Sequence, residues 1–163
     1  MGVRRVVTGV DAEGRSGFLS DGAAPGSDAW AEVWLGDPAV GLDAVFDWPL
    51  GPQSLEPPPG GTAFRVFEVP PDRVMRETMA ANRAAIDGVE PDGFHTTRTI
   101  DYVMVLEGKI TLELDTGAVT LGPGDCVVQR ATRHAWRNRG RKPVKMMAVM
   151  VSIERPDPMP GED

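Results

Sequence analysis

Residues 93–108 read GFHTTRTIDYVMVLEG and residues 122–138 read GPGDCVVQRATRHAWRN. Side chains of an extended chain alternate between two faces, so residues 95, 97, 99 and 101 point the same way and His95 and Asp101 share one interior, with Thr97 between them. His134, Trp136 and Asn138 share a face by the same rule. The chain contains two histidines, and both fall on an inferred inner face. Closing the sheet into a barrel brings the second strand across from the first and makes two imidazoles and one carboxylate converge on a cavity.

Outward from these stretches, the chain after residue 94 consists of short β-type runs: TIDYVMVL, KITLEL, AVTL, CVVQ, HAWRN and VKMMAVMVSI. They are separated by turn signals at Glu107-Gly108-Lys109, Asp115-Thr116-Gly117, Gly122-Pro123-Gly124-Asp125 and Arg139-Gly140, a spacing that predicts a sandwich or barrel. Upstream, Val3 to Thr8 and Ser16 to Ser20 flank the turn-rich Asp11-Ala12-Glu13-Gly14 and predict a hairpin that packs as an arm. Trp30 to Leu35 and Thr62 to Val69 predict two further strands. Between them, Gly36 to Gly61 is rich in proline and glycine and reads as an irregular loop. Asp72 offers an N-cap to a helix running to near Ile86, with Gly88 as its stop. Val74, Met75, Met79, Ala81, Ala85 and Ile86 form its apolar stripe, which predicts packing on a surface rather than a mobile lid.

At 163 residues the length suits one domain with a real core. A formal charge of −7 argues against the positive field that binds nucleic acid or anionic membrane. The lone Cys126 allows no internal disulfide, reads as a buried structural thiol, and fits a reducing cytoplasm. No apolar run follows the basic start, and none is long enough to span a membrane. There is no P-loop, no G-x-S-x-G and no H-E-x-x-H, so nucleotide, serine hydrolase and zinc protease chemistry lack a site.

The two quoted stretches resemble the cupin superfamily. His95, Thr97, Asp101 and Gly108 occupy the places of the first motif, His-x-His, three or four residues, Glu, six residues, Gly; two ligand positions are changed in type but not in spacing. Ala131, His134 and Asn138 match the second motif, Gly-x-x-His-x-x-x-Asn, with Ala for Gly. More narrowly, the chain is similar to small single-domain bacterial cupins in which the second histidine is commonly missing. The resemblance implies an all-β fold, an antiparallel double-stranded β-helix (jelly-roll) barrel, with an N-terminal β arm and one short helix. A single domain over 1–163 is expected, with arm and irregular loop over 1–58, barrel over 60–153 and flexible tail over 155–163. It also implies a homodimer, with the hairpin and the Trp30/Trp34 strand as the exchange surface.

His95, Asp101 and His134 make a two-histidine, one-carboxylate set suited to Fe, Zn, Mn or Ni. Against this, the loss of one ligand histidine and the shorter Asp101 leave a metal-free pocket equally open, with His134 as acid or base and Asp101 holding its other nitrogen. Val103 and Val105 are expected to line the interior with Met146 or Met147, Trp136 to form a wall or fill the core, and Gln129 or Arg130 to orient a carboxylate or carbonyl. Seven of the seventeen basic residues lie between 130 and 145; Arg137 and Arg139 have outward parity and read as solvated surface. The leading functional expectation is a lyase or isomerase performing dehydration, decarboxylation or cyclisation on a carbonyl- or carboxylate-bearing metabolite. An iron-dependent oxygenase and a non-catalytic ligand-binding protein stand as alternatives.

Overall fold

Alternating β-branched and aromatic residues fold here into antiparallel strands whose buried sides meet. In the computed structural model, which describes residues 2–39, 41, 55–82 and 88–153, the elements are β1 (Arg4–Val10), β2 (Ser16–Ala23), β3 (Gly26–Ser27), β4 (Trp30–Gly36), β5 (Thr62–Val69), α1 (Asp72–Asn82), β6 (Thr99–Glu107), β7 (Ile110–Leu114), β8 (Gly117–Leu121), β9 (Cys126–Arg130), β10 (His134–Arg137) and β11 (Val144–Ser152). A six-stranded sheet runs β3-β4-β5-β11-β6-β9, a three-stranded sheet runs β10-β7-β8, and all pairings are antiparallel. Val103, Val105, Val144, Met146 and Ala148 of the larger sheet pack against Ile110, Leu112 and Leu121 of the smaller one, which closes a jelly-roll barrel around its core. The six strands expected after residue 94 are all present, and so are those at Trp30 and Thr62.

Strand β11 lies between β5 and β6, and its residues alternate between buried and half-buried along its length. This is the pattern of a central strand with one face to the core. The β6–β7 turn uses Gly108 at φ +88°, where an added Cβ would come within 3.0 Å of Val144, so glycine is needed both for conformation and for space.

Strands β1 and β2 form the expected hairpin, and Asp11 fixes its turn by accepting from Glu13 N at 3.1 Å and Arg15 N at 2.8 Å. The hairpin is a sheet of its own rather than a layer packed on the barrel, and Val10 and Phe18 remain 68% and 78% exposed. Two further expectations are corrected. Asp72 does not cap its own helix: its carboxylate accepts Asn138 N at 2.8 Å, and so ties α1 to the end of β10. Cys126 is exposed rather than buried, because it falls on the outer side of β9 at the edge of the sheet. The helix beyond Asn82, most of the expected irregular loop and the expected tail lie outside the described residues.

Ala131, where the motif has glycine, adopts φ 52° while 7% exposed. A Cβ in the left-handed region costs about 1–2 kcal/mol. Ala131→Gly is therefore expected to raise stability by about 1 kcal/mol after the entropic cost of glycine is offset. The midpoint of urea unfolding checks this, and an unchanged or lower midpoint refutes it.

Candidate functional site

One end of the barrel opens into a cavity of about 680 Å³, a size suited to an organic metabolite. Phe67, Val103, Met150 and Ala148 come from the strands, Trp30 from β4, Trp136 from β10 and Met75 from α1, so the walls are apolar and partly aromatic. The helix thus forms part of the wall. His95, Thr97, Asp101 and His134 all face the same cavity; Asp101 and His134 do so from β6 and β10, whereas His95 sits at an isolated bridge and Thr97 in the irregular segment before β6, not on the continuous strand expected over 95–101.

The two imidazoles are neighbours, with ring centroids 4.2 Å apart. Their backbones form a two-residue antiparallel bridge, His95 N donating to His134 O at 2.9 Å and His134 N to His95 O at 3.0 Å. Each ring is anchored through Nδ1: to the Thr132 carbonyl at 2.8 Å for His134 and to the Gly93 carbonyl at 3.2 Å for His95. A carbonyl oxygen only accepts, so each Nδ1 carries the hydrogen and each Nε2 holds a lone pair. Thr132, rather than Asp101, therefore fixes the tautomer of His134. Burial holds the His134 imidazole down to about 4, with the neighbouring His95 ring adding to the effect against the opposing Thr132 bond. Burial also lowers His95, opposed by its bond to Gly93.

Asp101 shifts the other way. Burial raises its carboxyl, partly offset by hydrogen bonds from Thr99 and Thr97 and by the charge of Arg65. Its Oδ1 is buried without a hydrogen-bond partner among the described residues. Among the described residues, no group of three or more His, Cys, Asp or Glu side chains is placed to hold a metal ion. The donor set expected of His95, Asp101 and His134 is thus not assembled: the imidazoles pair with each other, while the short aspartate stays against the Thr97 and Thr99 hydroxyls, which themselves bond at 2.7 Å. A metal-binding role for the three residues together does not fit this arrangement, although two Nε2 lone pairs side by side remain good donors.

Other expected residues divide. Trp136 is a cavity wall, edge-on to His134 at 5.9 Å. Val103 lines the cavity, but Val105 packs in the core beneath it. Met150 lines the wall in place of Met146 or Met147, and Met146 is fully buried in the core. Gln129 points inward yet does not line the cavity, and its Nε2 has no partner among the described residues. Arg130 is exposed on the outer side of β9, one position out of phase with Gln129, and is removed from the site. Arg137 and Arg139, read as bare surface, in fact line the mouth; Arg137 is tied to Glu113.

Two features were missed. Arg65 is a buried wall residue: its Nε donates to Glu32 Oε1 at 2.8 Å, one η-nitrogen to the Leu55 carbonyl at 2.6 Å, and its guanidinium sits 5.2 Å from the Trp30 ring. The signal was available, since Arg65 interrupts the inward positions Ala63 and Val69 and Glu32 is the one acid in WAEVWLG. The second is the anchoring of the His95 segment. Arg133, next to His134, stacks 4.0 Å from the ring of Phe94 and donates to both carboxylate oxygens of Glu90, at 2.8 and 2.7 Å, while Arg137 lies 5.1 Å from the same ring. Phe94 precedes His95, so this cluster holds one imidazole against the other.

These observations define an antiparallel β-barrel protein with an internal cavity and a buried histidine pair in its lining. Residues 86–150 match the Cupin domain family. The cupin-domain-containing oxidoreductase fogC of Aspergillus ruber is 31% identical over 153 residues, which is 91% of this chain and 72% of that protein. The chain belongs to the cupin family. The phomopsin biosynthesis cluster protein C' of Diaporthe leptostromiformis is 37% identical over 97 residues, 59% of this chain, and the match spans 42% of that relative's length. The crystal structure of a cupin 2 conserved barrel domain protein from Salinispora arenicola aligns at TM-score 0.41 and 18% identity, over 66% of this chain and 71% of that one. The bacterial grouping read from the sequence is not borne out, since these protein relatives are fungal.

Proposed function

We propose that this chain is a small-molecule enzyme that moves a proton on a largely apolar metabolite, with His134 as base and His95 beside it. The observation that carries the reading is the pair of adjacent imidazoles, each pinned through Nδ1 and each presenting an unprotonated Nε2 in a cavity with apolar walls. Such a base is ready at neutral pH. Because burial keeps it weak, it suits a proton already made acidic by conjugation or by a neighbouring carbonyl. A lyase or isomerase step of that kind fits a tailoring role in biosynthesis, which the names of the phomopsin and oryzines cluster relatives support.

A base of this kind can be tested without knowing the substrate. In 5-nitrobenzisoxazole, removal of the ring C–H proton forms a nitrile as the N–O bond breaks to a phenolate, with no co-reactant. The protein is expected to open this ring well above the rate of free imidazole at equal pH, and His134→Phe to lose about a hundredfold. A wild-type rate no better than free imidazole refutes the proposal.

The names of fogC, srdD and virC, all cupin-domain-containing oxidoreductases, favour a second reading, a redox step in the same cavity. Stoichiometric iron on protein purified without a metal-binding tag, lost in His95→Ala, would favour it over proton transfer.

A further inference from the structure

We propose that the cavity selects an apolar, aromatic ligand that presents hydroxyl or N–H donors, and rejects the same body once those donors are masked. The inference rests on the small-molecule reading above but not on proton transfer.

The polar atoms around the cavity divide unevenly into free acceptors and engaged donors. His95 Nε2 and His134 Nε2 are lone pairs, because each ring spends its one hydrogen on a backbone carbonyl. Asp101 Oδ1 is buried without a partner among the described residues, on a residue 5% exposed that lines the same space. The site therefore presents three acceptors. The donors set back from the mouth are already engaged: Arg65 on Glu32, the Leu55 carbonyl and Met150 Sδ, Trp30 Nε1 on Glu32 Oε1 at 2.8 Å, and the Thr97 hydroxyl, which accepts from Thr99 at 2.7 Å, on Asp101. Trp136 adds an indole N–H for which no protein acceptor is found among the described residues; the Gln129 amide, opposite Asp101 in register and likewise without a partner among them, lies outside the lining.

The mouth does not change this preference. Arg76 and Arg139 face it, but Glu68, Asp72 and Asp92 face it too, and Arg137 is held by Glu113. Mixed charge at a solvated rim gives little net attraction for a carboxylate. Inside, an acceptor buried without a donor is costly, so a ligand that supplies donors gains what a purely accepting ligand cannot. The ring walls of Trp30, Phe67 and Trp136 favour a flat aromatic body.

Calorimetric titration of the full chain with 2,7-dihydroxynaphthalene, 2,7-dimethoxynaphthalene and 2-naphthoate separates the possibilities. The diol is expected to bind about tenfold or more tightly than the diether, and more tightly than the carboxylate. Its hydroxyls are too far apart to chelate, so added chelator leaves the preference unchanged; loss of the preference on chelation overturns the inference. His134→Phe, which keeps an aromatic ring but removes an acceptor, should narrow the gap between diol and diether. Met75→Ala, a wall change on α1, should weaken both alike and leave the gap intact, which keeps the test sound if the histidine variant folds poorly. Equal or tighter binding of the diether or the naphthoate, or no binding of any of the three, overturns it. Diol selectivity without ring opening of the benzisoxazole would remove the proton-transfer reading alone, and ring opening without diol selectivity would remove this inference alone.

Discussion

Arg65→Met is expected to lower the unfolding free energy by about 3–5 kcal/mol, because it strands a carboxylate where water cannot reach it. Arg65 and Glu32 are directly opposed on neighbouring strands, their side chains 4% and 5% exposed, and Glu32 Oε2 has no partner among the described residues even with the arginine present. Methionine replaces most of the volume of the arginine stem, so the loss reports on charge rather than on a void. The double variant Glu32→Leu/Arg65→Met removes both charges and should recover most of the loss, leaving the Trp30 indole N–H as the main residual cost. Urea unfolding of both variants decides the matter. A single variant within about 1 kcal/mol of wild type, or a double variant no better than the single, would show that the pair is not the buried charge described here.

Acid should weaken the fold through His134. Its folded-state value is about 4 against an ordinary 6.5, so between those limits the unfolded chain binds the proton and the folded chain does not. Stability from this group is complete above pH 6.5 and falls as the pH drops, being lost by about pH 4. The gap corresponds to about 3 kcal/mol. His95, lowered as well, adds in the same direction, whereas Asp101, raised by burial, holds its proton more tightly when folded and opposes the trend. Unfolding of wild type and His134→Phe from pH 7 to pH 4 separates the terms. The stability difference between the two proteins should move by about 3 kcal/mol in favour of the variant across that range. Parallel curves would mean that the ring already titrates normally in the folded protein.

The barrel was legible because alternation and turn chemistry are local. TIDYVMVLEG and GPGDCVVQ each specify a strand and its reversal, so β6 to β11 appear where the periodicity puts them. The side of each strand that turns inward was legible too, which is why Asp101, His134, Trp136 and Val103 reach the cavity, while His95 and Thr97 face it from the segment before β6. How far apart inward residues lie is a tertiary matter. Alternation could not say that the two rings would pair through their backbones while Asp101 stayed with the threonine hydroxyls. Nor could parity tell Val103 from Val105, since both face inward and only the depth of the cavity floor separates them. Arg137 and Arg139 were misjudged for a related reason: they stand near the end of a short strand, where outward parity points to the rim of the opening rather than away from it.

The stitching of the His95 segment to β10 by main-chain bonds, with Phe94 held between two arginines, separates two jobs that are often entangled. The two imidazole rings take their places from peptide groups and from the cluster around Phe94, while much of the cavity wall is made by Met75, Phe67, Val103 and Met150. Exchanging those residues would reshape what fits without moving the rings. A lineage built on this scaffold can therefore diversify the molecules it accepts one wall residue at a time while the ring pair stays in place.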